Sequence, residues 1–385
     1  MFSRRTEWNL APNRLAVAHQ EAISSGIKII DLTISNPTRA GIEYDESAIL
    51  NALANPKALD YDPQPKGLCS AREAVAQYYA SIIDPENLIL TTSTSEGYSY
   101  VFRLLCNSGD EILVPKPSYP LFDFLADLQD VKVVPYSLMY DHGWQIDFHS
   151  LEAGLTKNSR AIVLVHPNNP TGSYVSAQER QCLNELCHQH QLALIVDEVF
   201  LDYAHDGEHK PTFAAKEDTL TFTLSGISKI SGLPQMKLAW IAASGPQMGV
   251  SAAMQRLEVI ADTYLSLNAP VQLAAPVLLD QRKTIQPQIM RRVGANLAEL
   301  DRQLAGQKSC SRLDVRGGWY AVLRIPVTRS DEDFAIELLR RSGVLVHPGH
   351  FYDFPSDGYL VLSLIAAEEE FRKGISALLQ VANLL

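Results

Sequence analysis

One lysine of this sequence has neighbours that could make its amine a nucleophile. Lys229 lies within a run of small and hydroxyl-bearing residues that directly follows an apolar segment rich in β-branched residues, which predicts a strand. At the end of a strand an ammonium group can be desolvated, and desolvation lowers its pKa towards the range in which a lysine forms Schiff bases. The sequence therefore predicts Schiff-base chemistry at Lys229.

Three further polar clusters follow apolar segments in the same way. Asp197 ends one such segment, where a charged acid is costly to bury without a cationic partner. A turn at 166–172 and a hydroxyl-rich segment at 91–97 follow two others, and the second opens a predicted helix whose N-terminus suits a phosphate. Each cluster also has a purely structural interpretation. Asp197 fits an exposed acid at a strand end, the 166–172 segment fits a simple turn, and the 91–97 segment fits a helix cap. Because ligands of open α/β sheets bind beyond the carboxyl ends of the strands, we expect the clusters to form one site.

Between residues 88 and 243, short apolar runs alternate with longer segments of helical period. This pattern predicts parallel strands joined by helical crossovers. A capping box at Ser176 and Glu179 begins one of the intervening helices. The predicted strands are 88–92, 111–114, 131–134, 161–165, 192–196, 219–224 and 238–242. The chain should therefore contain a large α/β unit.

A smaller unit is predicted from the two ends of the chain. After about residue 270 the pattern changes to a long helix, strand-like segments on either side of a Gly-Gly turn, and a helix that begins after Ser330. The first 40 residues contain one helical period and an extended segment, too little to fold alone. We therefore expect a large domain of residues 45–270 and a smaller α+β domain of residues 1–44 and 271–385.

Composition limits the kinds of partner. The 385 residues carry 33 Lys and Arg against 44 Asp and Glu, a net charge of −11, which disfavours nucleic acid and anionic membranes as partners. No apolar stretch reaches the ~18 residues of a membrane helix, and the start of the chain has no targeting segment. The five cysteines are dispersed without metal-ligand spacing. We expect a folded cytoplasmic protein without a metal site.

Taken in chain order, these motifs resemble the pyridoxal 5′-phosphate (PLP) site of the class I and II aminotransferases, which are fold type I enzymes. The resemblance covers nearly the whole chain and rests on residues 35–37, 61–72, 115–120, 169–172, 197–198, 228–229 and 346–349. It implies an α/β fold with a three-layer αβα large domain around a mostly parallel sheet, and a smaller α+β domain. It also implies PLP as cofactor, a homodimer, and transfer of an amino group between an amino acid and a 2-oxo acid.

The resemblance implies a role for each matching residue. Lys229 matches the lysine that holds the cofactor as a Schiff base and then moves the proton at the substrate Cα. Asp197 matches the carboxylate that pairs with the ring nitrogen, Asn169 the donor to the ring oxygen O3′, and Tyr119 the aromatic residue stacked on the ring. The residues that match the phosphate site are Ser93, Thr94, Ser95, Ser228, Lys237 and, from the neighbouring subunit, Tyr61.

Three positions depart from the family pattern around the cofactor. Phe200 stands where many relatives have a tyrosine that donates to O3′, which leaves Asn169 as the main donor. Gly226 stands where a phosphate-binding serine is common. Lys237 replaces an arginine, so that a point charge takes the place of a bidentate fork.

A fourth departure concerns the substrate. Many relatives have an arginine two residues before a serine near the C-terminus, where it binds the substrate carboxylate, and here Val361 stands at that position. Arg39 is the first choice to replace it, because the segment that begins at Asn36 resembles one that borders the substrate in relatives. The alternatives are Arg14, Arg324, or a substrate that is not an ordinary α-amino acid.

Two other functions share these motifs. Fold type I lyases, including C–S β-lyases, use the same cofactor site, and some PLP-binding regulators of this fold catalyse no reaction. Such regulators usually carry a fused DNA-binding helix-turn-helix, for which the first 40 residues are too short. The leading hypothesis is an aminotransferase whose donor and acceptor stay open.

Overall fold

The strands of the fold lie where the apolar runs predict them. The computed structural model describes residues 1–383. Its strands are β1 (Ile30–Asp31), β2 (Leu88–Thr91), β3 (Glu111–Lys116), β4 (Lys132–Tyr140), β5 (Trp144–Ile146), β6 (Ser159–Val165), β7 (Ala193–Asp197), β8 (Thr221–Gly226), β9 (Ala239–Ser244), β10 (Ser311–Arg312), β11 (Tyr320–Arg324), β12 (Val344–Leu345), β13 (His347–Pro348) and β14 (Tyr359–Ser363). Each of the predicted strands between residues 88 and 243 is present, although β4 is longer than predicted. The apolar pattern missed β5.

The larger sheet has the strand order β2-β9-β8-β7-β6-β3-β4-β5. Neighbouring strands from β8 through β4 are parallel, and β6, β7 and β8 are buried along almost their whole length, which explains their near-continuous apolar sequences. The expectation of a mostly parallel sheet is confirmed. The prediction of parallel crossovers was wrong for β9, which is antiparallel to both β8 and β2. The connection from β8 to β9 contains only short helical turns, so the chain returns beside β8 instead of crossing the sheet.

Helices cover both faces of this sheet. The helices are α1 (Arg14–Ser24), α2 (Glu46–Leu53), α3 (Cys69–Tyr78), α4 (Thr94–Leu105), α5 (Phe122–Asp127), α6 (Phe148–Ala153), α7 (Ala177–His190), α8 (Ile227–Ile230), α9 (Gln247–Tyr264), α10 (Ala269–Asp280), α11 (Arg282–Leu304), α12 (Asp331–Ser342) and α13 (Glu368–Asn383). One apolar core joins α4, α5 and α9 to the sheet, and two others join α3, α10, α6 and α7 to its opposite face. This is the expected three-layer αβα arrangement.

Local caps position the helices as the sequence predicts. At the start of α7 the Ser176 N–H donates to Glu179 Oε2 at 2.8 Å, and the Glu179 N–H donates to Ser176 Oγ at 3.2 Å. Ser330 caps α12 by accepting the Asp333 N–H at 3.1 Å. Both caps satisfy backbone donors that have no partner inside the helix.

The two ends of the chain share a second core. β1 pairs in parallel with β12, which aligns Ile30 with Val344, and the antiparallel sheet β10-β11-β14-β13 lies in the same core. Apolar side chains from α1, such as Leu15, pack there with residues of α12 and α13, such as Phe334 and Phe371. The N-terminal segment therefore folds against the C-terminal one.

The predicted long helix after residue 270 is two helices, α10 and α11, that meet at Gln281. α10 packs on α3 in a core of the large sheet, with Ala274 and Val75 among its buried residues. The domain boundary at 270 stays a prediction, and this packing favours an end of the large unit after α10. Residues 384–385 of the predicted small domain lie outside the described residues. Among the helices of residues 1–383, none is long and apolar enough to cross a membrane.

Candidate active site

The predicted site lies where the ends of four strands meet. The pairing of β6, β7 and β8 sets Val165 beside Asp197, and Asp197 beside Leu224. The 166–172 turn, the acid and the lysine loop therefore leave the same edge of the sheet. β2 runs in the same direction as β8 because β9 is antiparallel to both, so the hydroxyl-rich segment after β2 reaches this edge as well.

Lys229 is half-buried on α8, a single turn that follows β8. Its Nζ donates to the Ser35 carbonyl oxygen at 3.4 Å. The same atom lies 4.9 Å from the centre of the Trp319 ring and 5.4 Å from that of Phe200. Burial lowers the pKa of Lys229 from 10.5 to about 8, while the charge of Asp197 acts to raise it. Near pH 8 a substantial fraction of this amine is therefore neutral and nucleophilic.

Asp197 receives a hydrogen bond on each of its carboxylate oxygens. Oδ1 accepts the Val199 backbone N–H at 3.0 Å, and Oδ2 accepts the Tyr98 hydroxyl at 3.2 Å. Burial raises the pKa of Asp197 from 3.8 to about 6, while these two bonds and the charge of Lys229 act to lower it. The carboxylate is thus held in one orientation and is mostly ionised at neutral pH.

The two asparagines of the 166–172 turn have different surroundings. Asn168 is buried, accepts the Ser118 hydroxyl at 3.0 Å and donates to Thr171 Oγ1 at 2.9 Å, so its amide supports the turn. Asn169 is half-buried, and its Oδ1 is a buried atom without a hydrogen-bond partner within residues 1–383. Because buried polar atoms are rarely left unpaired, the Asn169 amide is the one suited to a ligand.

Tyr119 follows a segment that is attached to the smaller sheet. The Ser118 N–H donates to the Tyr352 carbonyl oxygen at 2.9 Å, and Lys116 forms an ion pair of 3.0 Å with Asp353. Tyr119 itself is 44% exposed, at the end of a strand of the large sheet. A partly exposed aromatic side chain suits the stacking role, which stays a prediction.

The N-terminus of α4 carries the residues predicted to bind phosphate. Ser93 is the N-cap residue, and its hydroxyl accepts the Glu96 N–H at 3.2 Å. Thr94 and Ser95 follow in the first turn and are half-buried. The Glu96 carboxylate accepts the Thr92 backbone N–H at 2.7 Å, which keeps the loop close to the helix. Since the first N–H groups of a helix point outwards at its positive end, this segment can bind an anion.

The lysine loop offers less to a phosphate than the family pattern implies. Ser228 is half-buried beside Lys229, and Lys237 is exposed in a left-handed backbone conformation with φ 55°. A Cβ at Gly226 would lie 2.8 Å from the Cβ of its strand partner Ala239. The serine that is common in relatives therefore has no room in this pair of strands.

Tyr61 lies on a surface segment ahead of α3. It is 84% exposed and lines a cavity of about 370 Å³ together with Tyr100, Asn268 and Gln272. Such exposure suits a side chain that completes the site of a neighbouring subunit, which stays a prediction.

The alternatives to Arg39 are engaged elsewhere. Arg14 forms ion pairs with Asp333 at 2.5 Å and with Glu332 at 3.3 Å. Arg324 ends β11, at the opposite end of this strand from the residues near Lys229, and its guanidinium lies 5.7 Å from the centre of a tyrosine ring. Val361 is buried within the sheet strand β14, so this strand offers no cation at the predicted place.

Arg39 lies in a turn that begins beside Lys229. The Asn36 side chain caps this turn by accepting the Thr38 N–H at 3.1 Å, while the Ser35 carbonyl accepts from Lys229. Arg39 is exposed and has no ion-pair partner among the described residues. The structure therefore leaves Arg39 as the available arginine of the three, and its role as a proposal.

Two residues at the site were missed by sequence reasoning. Tyr98 lies one helical turn after Thr94 on α4, so helical spacing from the phosphate segment could have identified it. Trp319 packs its ring against Lys229, although the two residues are far apart in the sequence. No local pattern relates Trp319 to Lys229.

Several known proteins that are similar to this chain are named aminotransferases. The family described as "Aminotransferase class I and II" matches residues 27–375. A glutamate-pyruvate aminotransferase, AlaA, of Haemophilus influenzae is 30% identical over 94% of this chain and 93% of its own. An alanine aminotransferase of Mycobacterium bovis is 28% identical over 94% and 87%. Among solved structures, an aminotransferase from Escherichia coli has a TM-score of 0.87 and 25% identity, covering 100% of this chain and 98% of its own.

The position of Lys229 predicts an unusual pH dependence for its acylation. In protein freed of bound cofactor, trace labelling with acetic anhydride should reach its half-maximal rate at Lys229 near pH 8, because only the neutral amine reacts and burial lowers this pKa. Exposed lysines titrate at about 10.4. Mass spectrometry of the labelled peptides measures the labelling rates of Lys229 and of the exposed lysines in one sample. Asp197→Asn removes a charge that raises the Lys229 pKa, so its midpoint should move below 8. A Lys229 midpoint near that of exposed lysines would contradict the burial of this amine.

Proposed function

This chain belongs to the class I and II aminotransferase family, and on that basis we propose that its site binds PLP through Lys229 and transfers an amino group between an amino acid and a 2-oxo acid. That the chain is an aminotransferase follows from the family. The observation that carries the finer proposal is that Asp197, at the end of β7, and Lys229, just after the adjacent strand β8, lie at the same edge of the sheet, where the charge of Asp197 acts on the Lys229 amine. A lysine with a lowered pKa and an acid held by two donors are the groups that PLP requires.

The other polar groups of the site fit the same cofactor. The N-terminus of α4 can bind its phosphate through Thr94 and Ser95, with contributions from Ser228 and Lys237. The Asn169 amide has a buried atom without a partner, Oδ1. A flip of the amide places its NH2 group at this position, where it can donate to the ring oxygen. When bound, PLP supplies an aldehyde that reacts with amines and a ring that accepts electrons from the substrate Cα–H bond.

In this proposal the residues of the site have separate roles. Lys229 binds the cofactor and, once displaced by the substrate amine, removes and returns the proton at Cα, for which a pKa near neutral is suitable. Asp197, mostly ionised at neutral pH, keeps a proton on the ring nitrogen. Tyr119 would stack on the ring of the bound cofactor, and the rings of Trp319 and Phe200 shield the Lys229 amine from water.

The relatives indicate the substrate class. Proteins named alanine aminotransferase and glutamate-pyruvate aminotransferase are 28–30% identical to this chain over 94% of its length. We therefore propose alanine and glutamate as amino donors, with pyruvate and 2-oxoglutarate as acceptors.

The quaternary structure and compartment belong to the same proposal. The high exposure of Tyr61 supports a homodimer in which this side chain reaches the phosphate of the neighbouring site. The free thiols, among them the buried Cys187 and Cys310, support the cytoplasm as compartment.

A transfer assay tests the proposed substrates. With PLP added, L-alanine and 2-oxoglutarate should give pyruvate and glutamate in equal amounts, since the amino group passes from donor to acceptor. We expect kcat/KM for alanine to exceed that for tyrosine by about tenfold or more, the range that a few pocket contacts produce. Coupled assays for pyruvate and glutamate measure the stoichiometry. Release of pyruvate and ammonia, without an acceptor, from an amino acid that carries a leaving group at Cβ, such as L-cysteine, would instead identify a lyase.

Lys229 should be the residue that binds the cofactor covalently. Borohydride reduction of the PLP-loaded protein followed by peptide mapping should place the phosphopyridoxyl group on Lys229, because its amine lies at the same sheet edge as Asp197 and is partly neutral near pH 8. Lys229→Ala should lower turnover by a factor of at least about 10² to 10⁴, since general acid–base catalysis is lost with the covalent bond. Lys283→Ala, on the exposed side of α11, is the matched control. This variant should keep the phosphopyridoxyl label on Lys229 and the turnover of the wild type. Phosphopyridoxyl on another lysine would overturn the assignment.

Arg39 should bind the substrate carboxylate. Arg39→Ala should raise the KM for alanine by about tenfold or more, as expected for the roughly 1.5–3 kcal/mol of a hydrogen bond to a charged group, because a carboxylate that leaves water needs a charged donor. The affinity for PLP should not change. Arg14→Ala removes an arginine whose partners are surface carboxylates and is the matched control. An unaltered KM in Arg39→Ala would exclude this role.

A further inference from the structure

We infer that Tyr98 is a positioning residue that holds Asp197 against the nitrogen of the cofactor ring. The inference rests on the proposed function, since it takes Asp197 as the partner of that nitrogen. Its basis is the hydrogen bond from the Tyr98 hydroxyl to Asp197 Oδ2 at 3.2 Å. This is the side-chain donor to Asp197 within residues 1–383, because the other bond comes from the Val199 backbone.

The packing of Tyr98 fixes the place of its hydroxyl. Its ring centre lies 5.4 Å from that of Phe122, edge to face, and 5.8 Å from that of Phe102, one turn further along α4. Only 4% of Tyr98 is exposed. Because the Tyr98 ring is already held on two sides, it loses little side-chain freedom when the cofactor binds. Its hydroxyl can therefore keep the Asp197 carboxylate in one orientation.

A close approach of helix and sheet makes this contact available. Gly97 precedes Tyr98, and a Cβ there would lie 3.1 Å from Leu224 Cδ2 and 3.4 Å from Ile241 Cγ1. The absence of a side chain lets α4 lie near β8 and β9, so the next residue reaches the end of β7. The helix that begins at the predicted phosphate segment therefore also holds the acid.

The chemistry of the pair requires the phenol to stay a donor. Burial and the charge of Asp197 raise the pKa of Tyr98 well above 10, so its hydroxyl keeps the proton at neutral pH. A hydrogen bond to a carboxylate stabilises the ionised form. Without this donor, Asp197 would be harder to ionise and free to turn from the ring nitrogen, and the cofactor would be bound less tightly.

The experiment compares two ligands on one variant. Tyr98→Phe keeps the ring and removes only the hydroxyl. Cofactor-free wild type and variant are titrated with PLP and with 1-deaza-PLP, in which a carbon replaces the ring nitrogen. We expect Tyr98→Phe to weaken PLP binding by about tenfold, which corresponds to about 1.4 kcal/mol, and to change the binding of the deaza analogue by less than about twofold. A partly unfolded variant would lower both affinities equally, so the ratio of the two reports the contact with the nitrogen.

Tyr136→Phe is the matched control. Tyr136 is also buried, but its hydroxyl donates to the Val163 carbonyl oxygen at 2.8 Å, away from the carboxylate. This variant should leave the ratio of the two affinities unchanged. Equal effects of Tyr98→Phe on PLP and on the analogue would show that Tyr98 acts through packing alone and would overturn the inference. If wild type itself binds neither ligand, the proposed function fails instead, so the two failures are distinguishable.

Discussion

Two half-buried groups of opposite charge, Asp197 and Lys229, lie at one edge of the large sheet, and the proposed chemistry depends on them. Burial moves the pKa of Asp197 up to about 6 and that of Lys229 down to about 8, and the charge of each residue opposes the shift of the other. An isolated charge in this place would be costly, so each residue makes the other tolerable. The parallel pairing of β7 with β8 brings them together, since both strands end at the same edge. The lowered pKa of the Lys229 amine therefore follows from where the strands end.

Both sheets contribute to this environment. The large sheet supplies the acid, the lysine and the asparagine turn, whereas Ser35 and Trp319 come from segments that fold with the smaller sheet. The bond from Ser118 to the Tyr352 carbonyl and the ion pair of Lys116 with Asp353 join the two near Tyr119. A site built in this way depends on the contact between the sheets as much as on each sheet by itself.

The departures from the family pattern have local physical reasons. Gly226 has no room for a side chain beside Ala239, so the phosphate would depend more on α4. Phe200 packs edge to face on Trp319, with ring centres 5.1 Å apart, and adds apolar surface near the Lys229 amine. Val361, at the position where the family pattern has an arginine in many members, lies in an apolar core with other residues of β14. Under the proposed function the cation for a substrate carboxylate would come from another segment, and the turn that contains Arg39 begins beside Lys229.

The sequence alone determined the strand positions, the α7 and α12 caps and the polar clusters, because hydrophobic period and capping residues are local properties. The rule that ligands bind beyond the carboxyl ends of parallel strands then predicted that the clusters form one site, and the resemblance to a family predicted a role for each residue. Only the tertiary structure decided that β9 is antiparallel, that Trp319 encloses the Lys229 amine and that Tyr98 bonds to Asp197. These features depend on contacts between residues far apart in the chain. The pKa shifts belong with them, because desolvation is a property of the packed surroundings and not of the residue type.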